Sequence, residues 1–95
     1  MKLHEMGYEE YGFAPGEEKK VIELCRKHDH ETRTILHHAA YSTNEDIAEE
    51  LIASLTLGLS WEDIMLIHYI PMSKNMFYAY RRKCLAAFRD AVASS

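Results

Sequence analysis

The chain is poor in everything that interrupts helices, and nothing in it is long and apolar enough to cross a bilayer. It has two prolines and four glycines in 95 residues, and neither type occurs between Ser73 and Val92. No apolar run approaches the ~18 residues a membrane span requires. The first residues carry Glu5, Glu9 and Glu10 and no hydrophobic stretch, which is unlike a secretory leader. Two cysteines, Cys25 and Cys84, are too few for a disulfide scaffold and read as buried thiols in a reducing, cytoplasmic setting. There is no glycine-rich phosphate loop, no serine or cysteine nucleophile with a recognisable partner arrangement and no motif of paired carboxylates. The expectation is therefore a non-enzymatic protein without a cofactor.

What is present is enough for one domain. Hydrophobic residues make up 47% of the chain and charged residues 27%, the balance of an ordinary globular protein. A chain this short buries only about 60–65% of its unfolded surface, so a homodimer is a natural way to widen the stability margin. Apolar residues recur at helical spacing almost throughout, which makes the expected fold class all-α, with four or five helices.

Three segments divide the sequence. Residues 1–14, with Tyr8, Tyr11 and Phe13, read as an irregular aromatic arm that packs onto the body. Residues 15–43 form a supporting helical layer. Pro15 suits the first position of a helix, with Glu17 and Glu18 behind it. Val21, Ile22, Leu24 and Cys25 give one apolar stripe, and Ile35, Leu36, Ala39 and Ala40 give another. The pattern leaves open whether these are one bent helix or two.

Residues 44–93 carry the strongest signals. Asn44 is an N-cap before Glu45 and Asp46. Ile47, Leu51, Ile52, Leu55 and Leu57 then mark an amphipathic helix closed by Gly58. Ser60 with Asp63 is a capping box that uses Asp, opening a short helix through Met65, Ile67 and His68. Pro71 marks Tyr69–Met72 as a turn. Ser73 caps a long final helix whose buried stripe is Phe77, Tyr80 or Arg81, Cys84, Phe88 and Val92.

Charge is divided along the chain. Residues 1–63 hold 14 acids against 6 lysines or arginines, whereas residues 64–95 hold one acid, Asp90, against five bases. Such asymmetry points to a polyanion partner for the basic end. The order of elements is that of a helix-turn-helix, whose last helix enters the major groove by its N-terminal residues. With Phe77 in the core, Lys74, Asn75, Tyr78, Ala79 and Arg82 project on the opposite side. Asn75 suits adenine, Lys74 or Arg82 suit guanine or phosphate, and Arg81, Lys83 and the tyrosine hydroxyls suit phosphates and sugars. The expected contact set is Lys74, Asn75, Tyr78, Arg81, Arg82 and Lys83.

The segments Leu59-Ser60-Trp61-Glu62-Asp63-Ile64 and Ser73-Lys74-Asn75-Met76-Phe77-Tyr78-Ala79-Tyr80-Arg81-Arg82-Lys83 resemble the helix-turn-helix of region 4 of bacterial sigma factors. They are also similar to the small late-gene regulators of Gram-positive phages. The resemblance covers roughly residues 44–92. The whole chain looks like uncharacterised small prophage proteins of Firmicutes, which share a Tyr-Gly-Phe arm and the Tyr-Arg-Arg-Lys ending. This implies a regulator or accessory factor on double-stranded DNA, with the acidic N-terminal half free to meet a host or phage protein. It departs from the family pattern at Tyr69–Met72, where the turn is about two residues longer.

His28, His30, His37 and His38 cluster without any spacing typical of zinc, so they read as exposed polar side chains. Met72, Met76 and the aromatic arm are suited to a protein partner, which makes an adaptor that never touches DNA the alternative function.

Overall fold

A computed structural model describes residues 2–94. The described residues hold five α-helices and no strand: α1 (Glu17–Cys25), α2 (His30–Thr43), α3 (Ala48–Leu57), α4 (Trp61–Met65) and α5 (Lys74–Ser94). Short 3-10 turns occur at Leu3–Glu5, Glu9–Tyr11 and Glu45–Ile47. The all-α class read from the periodicity is what the chain adopts, and none of its described helices is long and apolar enough to cross a membrane.

Local chemistry explains the boundaries. The two stripes of residues 15–43 belong to separate helices, because Asp29 turns the chain at residues 26–29. Its carboxylate accepts the backbone N–H of Thr32 at 2.8 Å and the Thr32 hydroxyl at 2.9 Å, capping α2 and holding its pKa below the usual aspartate value. Pro15 does not open α1. It stands in a turn before Gly16, whose φ of +83° starts the helix one residue later. Asn44 does cap, but the turn it opens is the 3-10 segment Glu45–Ile47, so α3 begins only at Ala48. Gly58 closes α3 in the left-handed conformation.

Ser60 and Asp63 form the expected reciprocal box. The Asp63 N–H donates to Ser60 Oγ at 3.1 Å, and the Ser60 N–H donates to Asp63 Oδ2 at 3.0 Å. Helix α4 nevertheless stops at Met65, and Leu66–His68 unwind into a turn in which Ile67 and His68 both donate to the Ile64 carbonyl. The link to α5 thus runs over residues 66–73 and is longer than the sequence pattern implied. It is pinned at its middle by Ile70, which is buried.

Helix α5 runs through the centre. Phe77, Cys84 and Phe88 are fully buried as its stripe requires, with α2 as the main helical partner. Ala79, Leu85 and Ala86 are buried as well, so the helix is enclosed on a second side that its amphipathic pattern does not announce. Leu36, Ile47, Leu51 and Leu55 complete the core from α2 and α3. Leu57, assigned to that stripe by spacing, is 71% exposed at the last position of α3.

Cys25 and Cys84 are free, buried thiols. Burial pushes each up to about 12 from an ordinary 9.0. A raised folded-state pKa stabilises the fold while the thiol is neutral in both states. That contribution is complete below about pH 9 and disappears as the pH climbs towards 12 and the unfolded thiols ionise first. Alkylation at pH 8 should accordingly be negligible in the native protein and rapid in urea; equal rates would contradict the burial.

Truncating Phe88→Ala should cost about 3–5 kcal/mol in urea unfolding, whereas Leu57→Ala should stay within about 0.5 kcal/mol. Similar losses from both would contradict the central placement of α5.

Candidate nucleic-acid interface

Helices α3, α4 and α5 touch one another pairwise. Ser73 Oγ accepts the N–H of Met76 at 3.3 Å and opens α5. From this opening, Lys74 and Asn75 point outward. Lys74 Nζ donates to Glu62 Oε2 at 2.9 Å, which lowers the Glu62 pKa and raises that of Lys74. Both partners are more than half exposed, so the pair is a weak one that a competing anion can open.

The remaining expected contacts divide. Lys83 is exposed and, among the described residues, has no hydrogen-bond or ion-pair partner. Tyr78 is half-buried: its hydroxyl accepts the backbone N–H of Trp61 at 3.1 Å, tying the start of α4 to α5. Arg81 donates from Nε to the hydroxyl of buried Ser54 at 2.9 Å, and Ser54 in turn donates to the Leu59 carbonyl at 2.7 Å. This network fastens α5 to the end of α3. Arg82 donates from Nε to the carbonyl of Met6 at 2.8 Å.

The Arg81-Arg82-Lys83 triplet, read from sequence as one basic patch, is therefore split: two guanidiniums face inward partners and one ammonium faces solvent. Arg89 was not in the expected set, yet it does the same work as Arg82. Its Nη2 donates to the Tyr11 carbonyl at 2.6 Å, and its guanidinium lies 4.1 Å from the centre of the Phe13 ring.

Spacing on the helix shows why this happens. Asn75, Arg82 and Arg89 are seven residues apart, and Ala79 and Ala86 lie between them on the same stripe. The small alanines let the arm's backbone come close, and the two arginines above and below them donate to its carbonyls. The expectation that Ala79 and Arg82 project freely opposite Phe77 is thus corrected. Ala79 is fully buried and Arg82 is engaged, because residues 3–13 lie along that stripe.

Tyr8 packs edge-on against Phe13. Its phenol pKa is raised by burial, an effect partly opposed by the nearby Arg81 and Arg82. No signal in the sequence marks the two carbonyl acceptors, since a main-chain carbonyl has no residue identity.

The histidines do not assemble. Among the described residues no group of three His, Cys, Asp or Glu side chains converges as a metal site would require. His37 stacks on Tyr41, with ring centres 4.7 Å apart, and Tyr41 donates to Glu49. His28 lies 3.4 Å from Arg33.

If Arg82 and Arg89 clamp the arm, the double substitution Arg82→Ala, Arg89→Ala should raise amide hydrogen exchange across residues 3–13 at least tenfold while leaving α2 and α3 protected. Unchanged protection of the arm would show that its aromatics alone hold it.

A scan against protein-family models gives no match, and neither the curated proteins nor the solved structures contain one that matches this chain.

Proposed function

We propose that this protein is a non-enzymatic, DNA-binding accessory factor or regulator of prophage type that meets double-stranded DNA with the first turn of α5. What carries the reading is the exposure of Lys74 and Asn75 at the capped start of a helix that is otherwise largely enclosed. Support comes from the α3–α4–α5 order, from the resemblance of residues 59–64 and 73–83 to sigma-factor region 4, and from the basic balance of residues 64–95. Asn75 suits the edge of adenine. Lys74, once released from Glu62, and Lys83 suit phosphates. Tyr78, Arg81 and Arg82 stand behind them, holding α5 in place, and contribute to the field more than to direct contact.

A second reading, an adaptor that binds protein and not DNA, is favoured by one observation. Leu66, Ile67 and Tyr69 in the α4–α5 link are 87%, 75% and 78% exposed, an unusual concentration of large apolar side chains on a small domain.

Salt separates the two. Fluorescence anisotropy on labelled duplex DNA should show binding that weakens steeply with salt. The Lys74→Ala, Lys83→Ala double variant, which disturbs no buried group, should lower the log–log slope by roughly two. Absence of binding at low salt by folded protein, or a slope indifferent to the two lysines, would overturn the DNA reading.

A further inference from the structure

Helices α3 and α4 and the residues on either side of α4 border a half-open pocket of about 120 Å³ whose apolar walls are Ala53, Leu59, Ile64 and Ile67. For scale, an apolar cavity of roughly 150 Å³ takes up benzene, so this one is the size of a single aliphatic side chain. It is open to solvent, and Ile67 on its wall is itself exposed, next to exposed Leu66. Its mouth is acidic. Glu49 and Glu50 border it, and among the described residues no lysine or arginine does. The Glu50 side chain is only 17% exposed, and its single hydrogen-bond or ion-pair partner among the described residues is His68 Nδ1 at 3.5 Å, a long contact for a carboxylate that has given up most of its water.

We propose that this pocket docks an amphipathic helical segment of another protein, inserting one aliphatic anchor between α3 and α4 and setting a flanking lysine or arginine against Glu50. The two halves of the site ask for different chemistry side by side. The walls take hydrocarbon, and the acids take a cation that supplies a shorter charge-assisted hydrogen bond than the 3.5 Å contact His68 gives Glu50. A second copy of this chain is a poor occupant in a two-fold contact centred on the pocket, because that contact sets Glu49 and Glu50 against their own copies. The same acids repel the phosphates of nucleic acid and of anionic lipid. The site lies away from the arm-covered stripe of α5 and does not depend on DNA binding.

The single tryptophan, Trp61, stands at the start of α4 and packs partly buried against the core, so its fluorescence serves as the readout. Two synthetic 18-residue helical peptides with the same leucine face are titrated into the full chain, one with lysines on the polar face and one with glutamates, and amide shifts map the contact.

The lysine peptide should bind at least tenfold more tightly than the glutamate peptide, with shifts at Ala53, Ile64 and Ile67. Ile67→Asp, at an exposed position that leaves the fold intact by circular dichroism, should weaken it at least tenfold. Glu50→Gln should shrink the preference between the peptides. Attraction by acidity alone predicts the reverse for Ile67→Asp, since the added charge would tighten binding of the lysine peptide. That result, equal binding of the two peptides, or an Ile67-dependent dimer in sedimentation equilibrium would overturn the proposal.

Discussion

Enclosure of α5 on two sides is the constraint on which the rest depends. A helix in a domain of this size ordinarily buries one stripe and solvates the other. Here α2 takes the stripe containing Phe77, Cys84 and Phe88, and the arm takes the stripe containing Ala79 and Ala86. The second stripe also carries Arg82 and Arg89. Their guanidiniums can be covered only if their protons find acceptors, since an unpaired buried charge costs far more than a hydrogen bond returns. The arm supplies two carbonyls that accept from the guanidiniums and an aromatic face beneath one of them. Irregular backbone suits this task better than a helix, whose carbonyls are already taken by its own N–H groups.

This arrangement recasts the charge asymmetry. The basic end of the chain is basic by count, but Arg81, Arg82 and Arg89 point into the body, and Lys74 leans on Glu62. The Arg81 and Arg82 charges still act at a distance, because a neutral hydroxyl and a neutral carbonyl hold them without cancelling them, whereas Arg89 is also paired with the Asp90 carboxylate at 3.0 Å. An approaching polyanion would feel the positive field of α5 while touching few of its sources.

How much of this was legible depends on where the chemistry lies. Caps were readable because each needs a particular side chain: Ser60 with Asp63, Asn44, Ser73 and Gly58 all stand where the sequence puts them. The core stripe of α5 was readable from its spacing. Pro15 misled because the left-handed Gly16 after it, and not the proline ring, sets the start of α1. Leu57 misled because periodicity continues one turn further than the neighbour it would pack on. The arm's clamp was invisible, since its acceptors are main-chain oxygens of Met6 and Tyr11 and its alanines read as neutral filler. For the same reason the triplet at 81–83 looked like one patch when its members meet three different surroundings.

The clamp also has a consequence in time. Arg82 and Met6 are 76 residues apart, and Arg89 and Tyr11 are 78 apart, so all the intervening residues must be made before either contact can form. During synthesis the arm leaves the ribosome before α5 and has no α5 surface to rest on until that helix has emerged behind it. For that interval Tyr8, Tyr11 and Phe13 are bare, and the entropy of closing so long a loop is offset only when the final helix docks. The arm is thus made before α5 but fastened only after it, and the residues of α1 to α4 emerge before either the helix that organises them or the arm that covers it.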